Sequence, residues 1–242
     1  MSETGRKVVL VTDAMAEEGL EILSNHPQIE LRNKPGLPAD ELLKEIQDAH
    51  ALMVRSGTKV RKPALEAGSI LKVVGRAGTG VDNIDVEEAT RRGVVVMNTP
   101  GGNSVAACEH TFALLLSLMR HVPNAAKDLA GGKWNRKLYM GRQLQGRTLG
   151  LIGFGRIGRE VASRARAFGM DVLVNDPFVS EELARECDCT LATREEVFTK
   201  SDVLSLHVPL NDETRGMINQ ATMKTMKPGV VLLNCARGGL IQ

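Results

Sequence analysis

The chain has 242 residues, of which 43% are hydrophobic and 25% charged, a mixture that fits a globular protein and excludes a disordered one. A formal net charge of +2 and only 3% aromatic residues give no reason to expect nucleic acid or an anionic membrane as a partner. The four cysteines fit no zinc spacing and a chain of this length needs no disulfides, so we expect free thiols, no metal site and a cytoplasmic protein.

Short apolar strands alternate with amphipathic helices in the first part of the chain, which predicts a parallel α/β domain over residues 1–99. The N-terminus lacks the hydrophobic region of a signal peptide. Helices are predicted at 17–26 and at 39–50, where Leu42 and Ile46 share one face. The predicted strands are 7–11, 29–31, 51–55, 71–75 and 94–98.

A break at 98–103, rich in Pro and Gly, separates this domain from a second one over residues 100–242. The helix predicted at 105–120 is apolar almost all round, so we expect it to be buried. Its apolar run is too short to span a bilayer. The strand–helix alternation then resumes, with strands at 148–154, 171–176, 202–208 and 230–236 and a long helix at 155–169.

The segment 150–158 is the sharpest functional signal, because it contains Gly153-x-Gly155-x-x-Gly158 between a predicted strand and a predicted helix. In a dinucleotide-binding loop the first glycine permits the turn, the second lets the backbone approach a pyrophosphate, and the third lets the helix pack on the strand. The positive end of the helix then favours the phosphates. A purely structural glycine turn is the alternative.

Asp176 ends the next predicted strand, close to the spacing of about 20 residues expected for the acidic partner of such a loop. A carboxylate there accepts hydrogen bonds from ribose hydroxyls and repels a 2′-phosphate. The next residues are Pro177 and Phe178, so no arginine directly follows Asp176 to bind a 2′-phosphate. These residues favour NAD over NADP.

Further motifs carry a family resemblance. They are Val74–Asn83, Asn98–Ser104, Asp176-Pro177, Leu206–Leu210 and Asn234–Gly239. With the glycine loop they resemble the D-2-hydroxyacid dehydrogenases, and the first two resemble the branch that oxidises phosphoglycerate. The resemblance implies a flavodoxin-like substrate domain and a Rossmann-type NAD domain, with the active site in the cleft between them.

The resemblance implies that Arg237 is the catalytic residue that binds the substrate carboxylate and polarises the carbonyl. A guanidinium suits this role because its fork of donors matches a carboxylate and keeps its charge. Arg237 also follows a predicted strand, where ligands of open sheets bind. A solvated surface arginine is the alternative.

Other site residues are implied by the same resemblance. Substrate contacts are implied for Arg55, Ser56, Arg76, Gly78 and Asn103, although salt bridges at a domain edge remain the alternative for the two arginines. NAD contacts are implied for Thr79, Gly153, Gly155, Arg156, Ile157, Gly158, Asp176, His207, Val208, Cys235, Ala236 and Arg237. His207 invites a general-base role, but the resemblance places it in the cofactor wall.

The family's mechanism also uses a histidine base and a glutamate that raises the pKa of that histidine, both beyond the Asn234–Gly239 motif. The sequence ends at Gln242, where the family usually has an acidic residue, so we expect this chain to lack both groups and the later strands of its second domain. We expect the strand at 230–236 to be an apolar sheet edge, with weak NAD binding and little or no turnover.

The leading hypothesis is therefore NAD-dependent oxidation of 3-phosphoglycerate to 3-phosphohydroxypyruvate, in L-serine biosynthesis, with a homo-oligomer expected for the full-length parent. A glyoxylate or hydroxypyruvate reductase is the second enzymatic hypothesis. A non-catalytic NAD-sensing interaction module is the third.

Overall fold

Two parallel sheets with intervening helices make up the protein in the computed structural model, which describes residues 5–242. Residues 1–4, part of the stretch in which no signal peptide was expected, lie outside the described residues. The first compact unit ends at Asn103 and the second begins at Ser104. The predicted α/β class is confirmed.

The first unit has a five-stranded sheet in the order β2-β1-β3-β4-β5, with every neighbouring pair parallel. This is the flavodoxin-like order. Its strands are β1 (Lys7–Val11), β2 (Ile29–Asn33), β3 (Ala51–Val54), β4 (Val73–Arg76) and β5 (Val95–Asn98). Its helices are α1 (Glu17–Ser24), α2 (Ala39–Glu45), α3 (Lys62–Ala67) and α4 (Val86–Arg91).

The core of this unit forms because the central strands are apolar on both faces, as strands covered by helices on both sides must be. Leu10, Leu52 and Val74 on adjacent strands are completely buried. Leu42 of α2 and Ile46 just after it pack on the same core, as their predicted shared face requires.

The second unit has a parallel sheet in the order β10-β9-β6-β7-β8, the Rossmann order over five strands. Its strands are β6 (Thr148–Ile152), β7 (Asp171–Asn175), β8 (Thr190–Leu191), β9 (Val203–Leu206) and β10 (Val231–Asn234). Its helices are α5 (Ser104–Arg120), α6 (Val122–Ala130), α7 (Arg156–Ala167), α8 (Glu181–Glu186), α9 (Arg194–Lys200) and α10 (Gln220–Thr225). As predicted, β10 lies at an edge of the sheet.

Helix α5 buries one face, so the expectation that it would be buried is wrong for its other face. Cys108, Phe112 and Leu115 pack in the core. Outside that face, Leu118 is 56% exposed, and Val105 and Leu114 are exposed as well. No helix among residues 5–242 is long and apolar enough to cross a membrane.

Candidate functional site

The glycine turn lies where the strand order of the second sheet reverses. The chain runs outward from β6 to β7 and β8 and then returns to β9 on the other side of β6. Ligands of open parallel sheets bind at the carboxyl ends of the strands beside such a switch point. Gly153 follows β6 there, and the N–H of His207, just after β9, donates to the carbonyl of Ile152 at 2.7 Å.

Each glycine of the loop has a distinct steric reason. Gly153 has a φ of +96°, and a Cβ on it would lie 2.5 Å from the carbonyl oxygen of His207. A Cβ on Gly158 would collide with the carbonyl oxygen of Gly153. Gly155, the residue before the 12-residue helix α7, has open space around its Cβ position. That space, in front of a helix N-terminus, fits the pyrophosphate of a dinucleotide.

Arg156 and Ile157 form the first turn of α7. The side chain of Arg156 is exposed, whereas Ile157 packs against the core. The N–H groups of a first helical turn have no partner inside the helix. Both residues can therefore offer backbone donors to a phosphate.

Asp176 directly follows β7 and lies beside the glycine turn. Its Oδ2 accepts a hydrogen bond from the N–H of Phe154 at 2.7 Å, and its Oδ1 accepts one from the N–H of Phe178 at 2.9 Å. Each carboxylate oxygen retains capacity for another donor. The carboxylate is thus fixed against the loop and can still accept ribose hydroxyls.

His207 and Val208 flank the other side of the turn. The Nε2 of His207 lies 2.9 Å from the Oγ of Ser205, and burial lowers the pKa of His207 to about 4. The imidazole is therefore neutral near pH 7, but with a pKa so far below 7 it is a weak base, which fits a wall residue better than a general base. Val208 Cγ1 would lie 2.9 Å from a Cβ on Gly153.

The segment after β10 forms a tight turn organised by the side chain of Asn234. Its Oδ1 accepts from the N–H of Ala236 at 3.1 Å, and its Nδ2 donates to the carbonyl of Arg237 at 2.8 Å. The Nη1 of Arg237 donates to the carbonyl of Ala236 at 2.9 Å. Cys235, Ala236 and Arg237 are partly buried at the carboxyl edge of the sheet, the same edge as the glycine turn.

A second group of predicted residues lies at the carboxyl edge of the first sheet. Arg55 and Ser56 are exposed after β3, while Arg76 ends β4 and is buried. The Nε of Arg76 donates to the Oδ1 of Asn83 at 2.8 Å, and the Nδ2 of Asn83 donates to the carbonyl of Arg55 at 2.8 Å. One amide therefore connects the two arginine-bearing segments.

Three more predicted residues complete this edge. A Cβ on Gly78 would lie 2.6 Å from Nη1 of Arg76, so the guanidinium lies against this glycine. Thr79 donates through Oγ1 to the Oδ1 of Asn103 at 2.7 Å. The Nδ2 of Asn98, at the end of β5, donates to the carbonyl of Thr79 at 2.6 Å.

Two residues at this edge were missed by the sequence analysis. Asn83 lies inside the motif Val74–Asn83 but was given no role. Asp13, two residues after β1, accepts a hydrogen bond from the N–H of Arg55 at 2.5 Å. The only signal available for Asp13 was a polar residue just beyond a strand.

The comparisons with known proteins agree with this architecture. Residues 112–242 match the family model described as D-isomer specific 2-hydroxyacid dehydrogenase, NAD binding domain. The chain is 48% identical over 233 residues to the D-3-phosphoglycerate dehydrogenase of Bacillus subtilis (strain 168), which covers 96% of this chain and 44% of that protein. It therefore spans less than half the length of this curated relative.

Solved structures are similar over nearly the whole chain. The cofactor(NAD+) bound 3-phosphoglycerate dehydrogenase of Entamoeba histolytica has a TM-score of 0.81 and 31% identity, covering 98% of this chain and 74% of its own. A glyoxylate reductase from Paecilomyes thermophila has a TM-score of 0.87 and 29% identity, covering 98% of this chain and 75% of its own.

The family match covers more than half of the chain and includes the glycine turn, Asp176 and the turn after β10. It confirms the predicted family and NAD as the predicted cofactor. The chain belongs to the D-isomer specific 2-hydroxyacid dehydrogenase family and contains its NAD binding domain.

Proposed function

We propose that this chain provides the substrate-binding and NAD-binding parts of a D-3-phosphoglycerate dehydrogenase, which oxidises 3-phosphoglycerate to 3-phosphohydroxypyruvate on the route to L-serine. Bound NAD supplies the hydride acceptor. The observation that carries the proposal is the connection of Arg55 and Arg76 through Asn83 at one sheet edge. A substrate with both a phosphate and a carboxylate is best held by more than one guanidinium.

We assign the remaining roles as the family resemblance implies them. Arg237 acts as the catalytic residue that orients the substrate carboxylate, and Arg55, Ser56, Arg76, Gly78 and Asn103 hold the rest of the small-molecule substrate. A net charge of +2 supports a protein without a nucleic-acid partner. The four free cysteines support a reducing, cytoplasmic location.

The test is the substrate dependence of an Arg55→Gln variant of the natural full-length protein. We expect kcat/KM for 3-phosphoglycerate to fall by about 10- to 100-fold, since a hydrogen bond to a charged group contributes about 1.5–3 kcal/mol. Activity with glyoxylate should change little, because glyoxylate has no phosphate. The control is Arg91→Gln, which removes an exposed arginine that pairs with Glu88 on α4.

The other outcomes point to the competing functions. Activity with glyoxylate or hydroxypyruvate but not with 3-phosphoglycerate would favour the reductase, which the similarity to a glyoxylate reductase structure supports as second candidate. Saturable NAD binding without turnover of any of these substrates would favour the non-catalytic NAD-sensing module.

We also propose that the native protein is a homo-oligomer. Exposed apolar side chains are concentrated in one stretch of the second unit, and Trp134 within it is 73% exposed. The others there include Leu114, Leu118, Val122, Leu129, Leu138 and Met140. Apolar surface gathered in this way is typical of protein–protein contacts.

Light scattering tests the oligomer. We expect the double variant Leu118→Asp and Leu129→Asp to have half the mass of the parent or less. Ile22→Asp, at a still more exposed residue of α1, should leave the mass unchanged. A monomeric parent would refute this part of the proposal.

A further inference from the structure

We propose that Asp13 and Asn83 are positioning residues, which shape the segment Arg55–Thr58 so that the guanidinium of Arg55 can bind a phosphate group. The inference deepens the proposed function and rests on it for the role of Arg55. Neither residue needs to touch the substrate, since each acts through the backbone of this segment.

The location of Asp13 supports a ligand site. In the first sheet the chain runs from β1 outward to β2 and then returns to β3 on the other side of β1. Asp13 follows β1 and Arg55 follows β3, so both lie at the switch point of this sheet. Open parallel sheets bind their ligands at such points.

The carboxylate of Asp13 is the centre about which the segment turns. Its Oδ2 accepts from the N–H of Arg55 at 2.5 Å, and both of its oxygens lie 3.1 Å from the N–H of Thr58. A Cβ on Gly57 would collide with Oδ1. The N–H groups at both ends of the segment thus donate to one carboxylate. This carboxylate also occupies the space that a side chain at Gly57 would need.

This arrangement leaves the charge of Arg55 for a ligand. Among residues 5–242 no salt bridge includes Arg55, and its Nη1 makes only a long contact, 3.4 Å, with the carbonyl of Ala14. The side chain is exposed. Asp13 accepts hydrogen bonds from the backbone N–H groups of Arg55 and Thr58, so the guanidinium of Arg55 keeps donors that can bind an anion.

Asn83 holds the same segment from the other side. Its Nδ2 donates to the carbonyls of Arg55 and Thr58, at 2.8 and 2.7 Å, while its Oδ1 accepts from Nε of Arg76. Asn83 is almost completely buried. It therefore sets the spacing between the two arginine-bearing segments.

The test is calorimetric titration of the natural full-length protein with inorganic phosphate and with 3-phosphoglycerate. Asp13→Asn keeps the shape of the side chain but replaces one acceptor by a donor. We expect it to weaken the binding of both anions about tenfold, because one charge-assisted hydrogen bond is lost. The affinity for NAD should not change.

A double-mutant cycle separates positioning from general destabilisation. If Asp13 acts through Arg55, Asp13→Asn should weaken phosphate binding much less in an Arg55→Gln background than in the parent. Asp48→Asn is the control, since this carboxylate pairs with Arg32 on an exposed face and should not affect phosphate affinity. Asn83→Asp keeps the acceptor for Arg76 and loses both donors, so it provides a second variant if Asp13→Asn fails to fold.

Three outcomes are distinguishable. Unchanged phosphate affinity in Asp13→Asn, or full additivity with Arg55→Gln, overturns the positioning role. Phosphate binding that depends on Asp13 and Arg55, without oxidation of 3-phosphoglycerate, supports the positioning role and refutes the proposed function alone. A parent that binds neither anion overturns both.

Discussion

The carboxylate of Asp176 is shared between the backbone of the glycine turn and the ligand that we place there. We expect Asp176→Ala to raise the Kd for NAD by about 10- to 100-fold, because hydrogen bonds between this charged group and the ribose are lost. The Kd for NADP should change little, since repulsion of the 2′-phosphate disappears at the same time. Fluorescence titration with both dinucleotides measures this change.

Asp171→Ala is the control for this substitution, because Asp171 is an exposed residue at the opposite end of β7. An Asp176→Ala variant that binds NAD as tightly as the parent would remove Asp176 from the site.

His207 should make stability depend on pH. Burial lowers its pKa from 6.5 to about 4, so the unfolded chain binds more protons than the folded one between these values. Stability is therefore complete above about pH 6.5 and falls as the pH drops toward 4, by at most about 3 kcal/mol. Urea unfolding of the NAD-free protein from pH 7 to pH 4 measures this loss.

His207→Gln keeps a polar group beside Ser205 and cannot take up the proton. We expect a shallower loss of stability in this variant over the same pH range. His110→Gln, on the exposed side of α5, should retain the slope of the parent. Identical slopes in His207→Gln and the parent would show that His207 does not titrate in this window.

At the scale of single residues, the sequence allowed us to predict a role where the residues form a local motif. Gly153, Gly155 and Gly158 lie within six positions, and their spacing has one steric explanation. The contact of Asp13 with Arg55 joins residues 42 positions apart. It depends on the pairing of β1 with β3, which no local pattern of residues encodes.

The junction of α7 with the glycine turn depends on the absence of a side chain at Gly158. We expect Gly158→Ala to destabilise the protein by about 1–3 kcal/mol, because the new methyl group collides with the carbonyl oxygen of Gly153. Gly19 is likewise the third residue of its helix, α1, but has open space around its Cβ position. Gly19→Ala should stabilise by about 0.5–1 kcal/mol.

Chemical denaturation measures both glycine variants. If Gly158→Ala and Gly19→Ala change the free energy of unfolding in the same direction, helix propensity determines the effect of Gly158→Ala, and the contact with Gly153 does not.

At the scale of elements, apolar runs located the longer strands, because strands covered on both faces are apolar throughout. The two-residue β8 has no such run and was not predicted. The composition of α5 suggested burial all round, yet its apolar residues divide between a packed face and an exposed one. Composition alone does not reveal which of these faces meets the core of the same chain.

Each unit has its own hydrophobic core, so we expect the two units to unfold separately on heating. NAD should then raise the unfolding temperature of the second unit alone. Leu52 belongs to the core of the first unit, and Leu149 to a core of the second. At about 100 times its Kd, NAD should stabilise the second unit by about 2.7 kcal/mol. Scanning calorimetry should show one transition shifted upward by NAD and another nearly unchanged.

Leu52→Ala identifies the transition of the first unit, because it should destabilise that core by about 2–5 kcal/mol. A single transition that responds equally to NAD and to Leu52→Ala would show that the two units unfold together.

At the scale of the molecule, the order of strands was not readable from the sequence itself and came from the family resemblance. Alternation of strands and helices indicates a parallel sheet, but it does not say on which side of β6 the chain returns after β8. That return creates the switch point where Gly153 meets His207.

The central claim is that the backbone at Gly155 faces the pyrophosphate of NAD, and titration of Gly155→Ala with NAD tests it most directly. Apart from its chain neighbours, the added methyl group meets no protein atom within 4 Å, so the fold should remain intact, with a loss of about 1 kcal/mol because alanine is a poorer helix N-cap than glycine. We expect the Kd for NAD to rise at least about tenfold, since the methyl group occupies space that the ligand needs. Equal NAD affinity in the folded Gly155→Ala variant and the parent would contradict the claim.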